Sequence, residues 1–460
     1  MDTLSRKLAN FIYGLKYDHL REEVVNQVKK CLLDFLGVSL LGSTSSIGRT
    51  LIEFVKNIGG VEESTVIGEC LKVPCINAAF INGVLAHIHE LDDGHRFAMG
   101  HPGAVVIPAA LAVGERNNVS GKELITAITA GYEVFVRIAK AVNPSHLRRG
   151  FHTTGTCGVF AAAAATGKIL GLSIDELSNA LGLAGIQAAG LLEVLRGESI
   201  AKPLQPGKAA QSGVISALLA QNGVSAPDTI FEGENGFCQA FSDKYDLQVI
   251  MEGLGESYEI MRVYFKFHAS CRHTHSAIDG VLKLVKEYNI LPEEIEEVQV
   301  KTYSIAYDLC GKEYEPKTIS TAKFSIPYCV SAAILHGGVG PEAFTVESIK
   351  DKDTISLARK VKVMVDPEID ANVPRERGAK VKIVKKNREE VEVFIRNPFG
   401  EPEAPASIED IKGKFKALAS KAIPASNVNG LIMLVDRLEA LKDIGEILSL
   451  LGSGELPAIL

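Results

Sequence analysis

Residues 120–142, SGKELITAITAGYEVFVRIAKAV, specify one long helix within the chain. Ser120 and Glu123 have the spacing of a capping box, in which each side chain accepts a hydrogen bond from the other residue's backbone N–H. The apolar residues that follow recur at helical intervals, and the alanine and glycine among them let neighbouring helix axes approach closely. The stretch therefore predicts a helix buried within a helical bundle.

Two further stretches in the N-terminal half carry the same pattern. Residues 21–42, REEVVNQVKKCLLDFLGVSLLG, place Val28 and Phe35 on one helical face. Residues 175–195, DELSNALGLAGIQAAGLLEVL, follow a second capping box and are predicted to form one helix. Because no region between these helices alternates cleanly, the sequence predicts a mostly α protein whose large all-α domain covers residues 1–264.

The pattern changes near residue 260. Residues 275–288 are predicted to form an amphipathic helix, and residues 296–308, EEVQVKTYSIAYD, alternate as a half-buried strand does. Three further runs alternate with period two, namely KVKVMVD (360–366), AKVKIVKK (379–386) and EEVEVFIRN (389–397). The sequence thus predicts a smaller α+β domain with an antiparallel sheet over residues 265–402. The helical pattern then returns, and residues 403–460 are expected to pack on the first domain.

Composition argues against several classes of protein. The 460 residues carry a formal net charge of −7, contain no tryptophan and are 6% aromatic, which disfavours binding to nucleic acid or to an anionic membrane. The lysines between residues 359 and 396 alternate with valines and are interpreted as the solvent-facing side of a sheet. The sequence contains no P-loop, dinucleotide-binding, nucleophile-elbow or HExxH motif.

The sequence also indicates the cellular compartment of the protein. Its eight cysteines are scattered and include no CxxC pair, as expected for reduced thiols. The first twenty residues mix charges throughout and lack the apolar core of a signal peptide. The longest apolar stretch, GVFAAAAATG (158–167), is too short to span a bilayer. We therefore expect a cytoplasmic protein.

Residues 87–103, HIHELDDGHRFAMGHPG, gather four histidines and three acids. One interpretation is a metal site, because His87, His89 and Asp92 carry good ligand atoms. If the helix over residues 76–91 is continuous, however, His87 and His89 lie about 200° apart around its axis and do not share an ion.

Two other interpretations of this stretch remain open. One is a solvated helix end with a capping aspartate. The other is acid–base chemistry, since Asp93 stands close in sequence to His95 and His101 in a turn-rich loop. A carboxylate there can orient an imidazole and shift its pKa, as a base working near neutral pH requires.

Two later stretches place histidine or lysine where an anion would be favoured. GFHTTGT (150–156) puts His152 before an alanine-rich helix, whose N-terminus is positively polarised and suits a carboxylate. AKPLQPGKAA (201–210) brings Lys202 and Lys208 to the start of another helix. Taken alone, each of these residues can equally be a capping histidine or a surface lysine.

The stretch KFHASCRHTHSAID (266–279) lies at the junction of the two predicted domains. It carries Lys266, Cys271, Arg272 and His275, and such a local positive field is what an anionic substrate requires. Its Cys-x-His-x-His pattern also permits a metal site. Cys271 lacks the flanking residues of a cysteine protease.

In order and spacing, these stretches resemble the MmgE/PrpD family, whose members include 2-methylcitrate dehydratase, cis-aconitate decarboxylase and iminodisuccinate epimerase. The resemblance covers nearly the whole chain. It is carried by LLDFLGVSLLGS (32–43), NAAFINGVLAHIHELDDGHRFAMGHPGAVVIPAALAVGE (77–115), GFHTTGTCGVFAAAAATGKILGLS (150–173), KPLQPGKAAQSGVISALLAQNGVSAPDTIFEGENGF (202–237), KFHASCRHTHSAIDGVL (266–282) and TAKFSIPYCVSAAI (321–334).

The resemblance implies a large helical domain, built from the N-terminal part and the C-terminal helices, with an α+β lid. It further implies a homodimer formed through the helical domain, no metal, no cofactor and an active site in the cleft between the domains. The positions that match the family are the acids of residues 90–93, His101, His152, Lys202, Lys266 and residues 271–275.

One stretch departs from the dehydratases and the decarboxylase, which resemble one another in an acid-rich D-x-[DN]-D-T motif. This chain has Glu-Leu-Asp-Asp-Gly over residues 90–94, followed by His95 and Arg96. The threonine hydroxyl is missing, and the E-x-D-D-x-H-R form resembles the iminodisuccinate epimerase branch.

Family and residues together lead to one hypothesis about mechanism. His101 and His152 transfer protons, and Asp93 orients one of the two imidazoles. Lys202 and Lys266 bind and stabilise the carboxylates of the substrate. The other residues expected to contact the substrate are Glu90, Arg96, Lys208, Cys271, Arg272 and His275.

The sequence therefore predicts a cofactor-free lyase acting on a small polycarboxylate, similar to 2-methylcitrate dehydratase. The alternatives are an iminodisuccinate-type epimerase and a cis-aconitate decarboxylase. More remote are a metal-dependent hydrolase, which would use residues 87–92 and 271–275, and a relative that binds without catalysis.

Overall fold

The computed structural model describes residues 2–196 and 199–452. The N-terminal part is built from the helices α1 (Leu4–Gly14), α2 (Glu22–Thr44), α3 (Ser46–Ile58), α4 (Cys75–His87), α5 (Gly103–Arg116), α6 (Gly121–Val142), α7 (Ser145–Arg148), α8 (Thr153–Ile169), α9 (Ile174–Gly185), α10 (Leu204–Gln221) and α11 (Phe237–Phe241). Short strands form two antiparallel pairs, β1 (Ser64–Thr65) with β2 (Lys72–Val73) and β3 (Gly94–His95) with β4 (Val263–Tyr264). The capping boxes predicted at the starts of α6 and α9 are confirmed.

Helix α8 lies at the centre of this part and contacts α5, α6, α9 and α10. Its five consecutive alanines, residues 161–165, are all buried. A Cβ at Gly213 of α10 would lie 2.4 Å from the Cβ of Ala162, so the two helices approach as closely as glycine allows. This packing fixes the position of His152, the residue that precedes α8.

The remainder of the chain contains the larger sheet. Its strands are β5 (Ile295–Thr302), β6 (Val361–Val365), β7 (Ala379–Lys385) and β8 (Glu390–Ile395), and they lie in the order β6-β5-β7-β8. The helices around it are α12 (His275–Tyr288), α13 (Ser304–Cys310), α14 (Ile319–Lys323), α15 (Ile326–His336), α16 (Lys352–Ala358) and α17 (Pro367–Asp370).

The sheet is mixed, whereas the sequence predicts an antiparallel one. Strand β5 pairs with β7 and β7 with β8 in antiparallel fashion, but β5 and β6 run parallel. The chain between β5 and β6 passes through helices α13 to α16, and a long crossover of this kind is what a parallel pair requires.

Two predicted elements end earlier than expected. The strand predicted over 296–308 stops at Thr302, because Asp370 Oδ1 accepts hydrogen bonds from the N–H and the hydroxyl of Ser304 at 2.8 and 2.7 Å and starts helix α13. The helix predicted over 175–195 stops at Gly185. Beyond it the chain turns at Gly190 (φ 151°), whose carbonyl oxygen accepts the N–H of His152 at 3.0 Å.

The C-terminal helices α18 (Ile408–Ala419), α19 (Ala425–Asp436) and α20 (Gly445–Leu448) return to the N-terminal part. Helix α18 packs on α2, and its Lys414 Nζ donates to Asp34 Oδ1 at 2.6 Å and to the carbonyl oxygen of Leu91 at 2.7 Å. The C-terminal helices therefore contact the loop that follows α4.

The predicted fold class, mostly α with a small sheet-containing unit, is confirmed. The boundaries predicted at residues 264 and 402 stay predictions, and residues 453–460 of the predicted C-terminal segment lie outside the described residues. Over the described ranges, no single helix has both the length and the apolarity to cross a bilayer. Helices α2 and α3 meet that test only as a pair, and they are bent by 89° relative to each other.

Candidate active site

The candidate site begins where helix α4 ends at His87, four residues before the end of the predicted helix. The chain then turns at Glu90, whose φ of 55° lies in the left-handed region. Such a conformation is unfavourable for a residue other than glycine and is often found at functional sites. Strand β3 follows and pairs with β4, so this loop lies beside the segment that carries Lys266.

The carboxylate of Glu90 lies between two ammonium groups. Lys266 Nζ is 3.3 Å from Glu90 Oε2, and Lys202, two residues before α10, forms an ion pair with Glu90 Oε1. Lys266 is fully buried and also lies 3.9 Å from Asp92 Oδ1. Burial alone would raise the pKa of Glu90, but the two lysines hold it well below its ordinary value. The two predicted carboxylate-binding lysines thus share one carboxylate of the protein itself.

Three histidines from separate segments meet beside Glu90, and we call His87, His101 and His152 the imidazole cluster. The centroid of the His87 ring lies 4.9 Å from that of His101 and 6.0 Å from that of His152. His87 ends α4, His101 lies just before α5 and His152 just before α8. The structure therefore brings together the two histidines predicted as catalytic and adds His87, which the sequence suggested only as a metal ligand.

Two rings of the cluster are held through Nδ1 by the loop after α4. His87 Nδ1 lies 2.7 Å from Asp92 Oδ2, and His101 Nδ1 lies 2.6 Å from the main-chain oxygen of Asp93. Burial opposes ionisation of Asp92, but His87, His101 and a nearby lysine hold its pKa below the ordinary value. Because a carboxylate and a carbonyl only accept hydrogen bonds, Nδ1 is the protonated nitrogen in both rings.

The third ring is held in the same way by a side-chain amide. His152 Nδ1 lies 2.6 Å from Gln205 Oε1. The Gln205 amide is oriented by its Nε2, which donates to the carbonyl oxygen of Leu191 at 2.9 Å. His152 therefore also carries its hydrogen on Nδ1, and all three rings keep Nε2 for other partners.

His101 and His152 are neutral near pH 7. Burial lowers the pKa of His101 to about 3, with Asp92 acting in the opposite direction and Lys266 adding to the effect. Burial and Lys202 likewise hold the pKa of His152 well below its ordinary value. Each ring therefore offers an unprotonated Nε2, which is the state that a general base needs.

The prediction that the Asp93 side chain orients an imidazole is wrong. Asp93 Oδ2 accepts the hydroxyl of Tyr132 at 2.6 Å and Oδ1 accepts the N–H of Gly103 at 3.0 Å, so the carboxyl group orients no imidazole. Burial raises the pKa of Asp93 to about 7, although Tyr132 acts in the opposite direction. The neighbouring Asp92 performs the predicted function on His87, because the turn after α4 reverses which acid faces the ring.

Two predicted substrate ligands, Arg96 and Arg272, are bound to carboxylates of the segment before α18. Arg96 forms an ion pair with Glu403, and Arg272 Nε lies 3.1 Å from Glu401 Oε1. Arg272 also donates to His275 Nδ1 at 3.0 Å. We call Arg96 and Arg272 the arginine pair. The terminal nitrogens of Arg96, the Arg272 guanidinium and the predicted ligand His275 take part in a network that joins the loop after β3 to the segment before α18, while Arg96 Nε has no partner among the described residues.

The other two predicted substrate ligands differ in exposure. Lys208 is exposed on α10, and its Nζ donates to Gln211 of the same helix at 3.1 Å. Cys271 is buried, and a hydrogen bond with the thiol of Cys310 lowers its pKa. Its N–H donates to the main-chain oxygen of Lys323 at 2.9 Å. Cys271 therefore connects the domain junction to helix α14.

Sequence reasoning missed Lys323, the last residue of α14. Its side chain is buried, and Nζ donates to the carbonyl oxygen of Ile88 at 3.1 Å, just after the end of α4. Burial lowers the pKa of Lys323 to about 8; Glu90 opposes this shift and Lys202 adds to it. The stretch TAKFS was visible in the sequence, but a single lysine in a helical pattern gives no local sign of its neighbours.

The histidine pair considered as metal ligands does not converge. The His89 ring is hydrogen-bonded to the main chain at Leu41, and burial lowers its pKa to about 3. His87 instead faces Asp92. The two rings therefore have different partners, although helix α4 ends at His87 and the predicted helical spacing does not extend to His89.

In the part of the chain that the structure describes, one group of possible ligands comes together, formed by His87, Asp92 and His101 within 4.8 Å. Lys266 Nζ lies 3.9 Å from Asp92 Oδ1, and an ammonium group repels a cation placed there. The Nδ1 atoms of both histidines are already bonded to oxygen atoms. These three residues therefore form one hydrogen-bonded group with an ammonium group beside it.

Comparison with known proteins identifies the family. Residues 6–250 match the MmgE/PrpD N-terminal domain and residues 268–440 the MmgE/PrpD C-terminal domain. A cis-aconitate decarboxylase of Homo sapiens is 28% identical over 100% of this chain and 96% of its own length. The cis-aconitate decarboxylase-like protein oryM of Aspergillus oryzae is 27% identical over 98% of each chain. A 2-methylcitrate dehydratase of Salmonella typhimurium is 23% identical over 80% of this chain and 79% of its own. The chain belongs to the MmgE/PrpD family and is an enzyme of the lyase type.

Proposed function

We propose that this enzyme is a cofactor-free lyase that acts on a small di- or tricarboxylate at a carbon next to a carboxylate. One observation carries the proposal: neutral imidazole bases lie beside two lysines, the buried Lys266 and the partly buried Lys202, that already hold the carboxylate of Glu90. Loss of a proton or of CO2 at such a carbon builds up negative charge. Cations fixed in advance stabilise that charge, and this is commonly the largest contribution to catalysis.

The geometry suggests how the residues divide the work. A substrate carboxylate binds beside Lys202 and Lys266, at the place where Glu90 now receives both ammonium groups. His101 and His152 present Nε2 to the reacting carbon and exchange protons with it. General acid–base catalysis of this kind contributes about 10²–10⁴-fold in rate.

Among the possible reactions we favour decarboxylation of a cis-aconitate-like acid, because the decarboxylase relatives match nearly the whole chain. Dehydration of a 2-methylcitrate-like hydroxy acid is the second candidate, supported by the shorter match to the dehydratases.

An epimerisation is the third candidate, and residue 94 motivates it. A Cβ at Gly94 would lie 2.3 Å from the hydroxyl of Tyr264, so the threonine of the D-x-[DN]-D-T motif does not fit beside this tyrosine. A substrate different from those of the decarboxylases and dehydratases would account for that change.

Proton NMR of the enzyme in D2O tests the proposal, with cis-aconitate, 2-methylcitrate, citrate and iminodisuccinate as substrates and a chelator present. Itaconate formed from cis-aconitate identifies a decarboxylase, and new alkene signals from a hydroxy acid identify a dehydratase. Deuterium entering an α-carbon without loss of water or CO2 identifies an epimerase. Turnover of these acids only after a metal is added back would contradict the cofactor-free proposal. The His101→Ala variant, prepared in parallel, controls for contaminating activity.

The family resemblance also motivates a homodimer formed through the helical domain. Sedimentation of the purified enzyme at micromolar concentration tests this, and a monomer under those conditions would contradict it.

A further inference from the structure

His87 differs from the other two rings of the imidazole cluster in the group that holds it. His101 Nδ1 donates to a main-chain carbonyl, with Asp92 Oδ2 farther away at 3.4 Å, and His152 Nδ1 donates to an uncharged amide oxygen. His87 Nδ1 donates to the carboxylate of Asp92 at 2.7 Å. A carboxylate in direct contact stabilises the doubly protonated imidazolium, whereas a neutral acceptor does so only weakly.

The second nitrogen of His87 is buried and has no partner. His87 is 0% exposed, and its Nε2 makes no hydrogen bond to any of the described residues. Buried polar atoms are rarely left in this state, and an exception calls for an explanation such as a missing ligand. The ring lies beside both His101 and His152, the residues assigned above to the substrate.

Charged groups approach His87 from its own loop and from other elements. On its own loop the neighbours are Asp92 and Glu90, both ionised. From the other elements the neighbours are Lys202 and Lys266, which are paired with Glu90, and the neutral rings of His101 and His152. Asp92 is the only one of these groups that is hydrogen-bonded to the His87 ring among the described residues.

We propose that His87, held by Asp92, is the proton donor of the active site, and that His101 and His152 act as the bases where the reaction removes a proton from carbon, as a dehydration does. This inference rests on the proposed lyase function and names the acid within it. In a decarboxylation, the electron pair left on carbon when CO2 departs takes the proton from His87 Nε2. A C–H bond forms, the N–H bond breaks, and the neutral ring regains its proton from water after product leaves. In a dehydration the same proton goes to the departing hydroxyl group and water is released.

Two variants test the proposal through the pH dependence of kcat/KM. Asp92→Asn removes the charge that favours the imidazolium, so the alkaline limb of the profile moves down by about 1–3 pH units. The acidic limb moves down less, because Asp92 raises the pKa of the base His101, whereas His152 is held by Gln205. His87→Gln lowers kcat by about 10²–10⁴-fold, with KM changed far less.

A matched control exists in the lid. His268 Nε2 and Asp279 Oδ1 form a second, partly buried histidine–aspartate contact at 2.9 Å, outside the imidazole cluster. Asp279→Asn makes the same chemical change as Asp92→Asn and leaves the limbs of the profile where they are. Equal pH profiles for the two variants, or more than a tenth of the wild-type kcat in His87→Gln, would overturn the proposal.

A measurement without turnover separates failure of this inference from failure of the proposed function. The 15N spectrum of histidine-labelled wild-type enzyme is recorded at pH 7 with tricarballylate, a saturated tricarboxylate, and His87 is assigned by its loss in His87→Gln. We expect the shifts of an imidazolium, and a neutral ring overturns the inference even if an acid of the panel is turned over. An imidazolium signal from an enzyme that turns over no acid supports the donor and leaves the lyase proposal as the part that fails.

Discussion

The imidazole cluster and the arginine pair are two buried groups of charged residues that the sequence cannot tell apart. Around the imidazole cluster, Lys202 and Lys266 share one carboxylate, and His87 Nε2 has no partner among the described residues. In the arginine pair, the guanidinium of Arg272 contacts Glu401, three main-chain oxygens and His275. The first group keeps a ring nitrogen available for a ligand, whereas in the second group the donors of Arg272 and the terminal nitrogens of Arg96 are bound to the protein. Availability of donors, and not residue type, distinguishes a site from a structural network.

The largest effect expected from this comparison is on activity. His101→Ala removes a base from the imidazole cluster, and we expect turnover to fall by about 10²–10⁴-fold. The melting temperature should change little, because His101 lies in a loop and its main contact is one hydrogen bond to Asp93. Steady-state kinetics together with thermal unfolding checks this. Wild-type turnover in the variant would remove His101 from the mechanism.

A substitution in the arginine pair should lower stability and leave activity nearly unchanged. Arg272→Met leaves Glu401, which is 0% exposed, without its main partner. Breaking a buried ion pair on one side costs about 3–5 kcal/mol of unfolding free energy. We expect a lower denaturation midpoint, with kcat/KM of the folded fraction near the wild-type value. A selective rise in KM at unchanged stability would instead return Arg272 to the substrate site predicted from the sequence.

Some features of the two groups can be predicted from the sequence, and others cannot. The helices of the N-terminal part, the end of α12 and the approach of His101, His152, Lys202 and Lys266 follow from periodicity, capping and family resemblance. The turn at Glu90 does not, since it depends on a left-handed conformation that a glutamate rarely adopts.

That one turn decides several details of the site. The side chain that contacts the His87 ring is that of Asp92 and not that of Asp93. The carbonyl of Ile88, in the same turn, accepts a hydrogen bond from Lys323. Lys323 lies 235 residues further along the chain, and nothing in the spacing of the sequence reports a contact over that separation. The partners of the arginine pair could not be predicted either, because Glu401 and Glu403 come from a segment without a recognisable motif.

Lys323 can be compared with both groups, because its Nζ donates to the carbonyl oxygen of Ile88 and its pKa is lowered to about 8. A lysine loses its charge as the pH rises through its pKa, so substrate binding should weaken above pH 8. We expect KM to rise several-fold between pH 7 and pH 9 in the wild-type enzyme. Lys323→Gln keeps a donor for Ile88 without the charge, and its KM should be higher at pH 7 but nearly independent of pH. Parallel pH dependence in the two enzymes would assign Lys323 to holding the lid alone.

Asp93 represents a third kind of buried group, a carboxyl that has hydrogen-bond donors but no cation. Its pKa is raised to about 7 by burial, above the value of about 4 expected in the unfolded chain. The folded state therefore holds a proton that the unfolded state releases between those values, so this group lowers stability as the pH rises from about 4 to 7. Asp93→Asn removes that dependence, and the difference in unfolding free energy between variant and wild type should shift in favour of the variant by roughly 2–3 kcal/mol between pH 5 and pH 8. Denaturant titrations at the two pH values measure it. A difference that does not change with pH would mean that Asp93 is ionised throughout, with Tyr132 and the N–H of Gly103 solvating its charge as fully as a cation does in the other two groups.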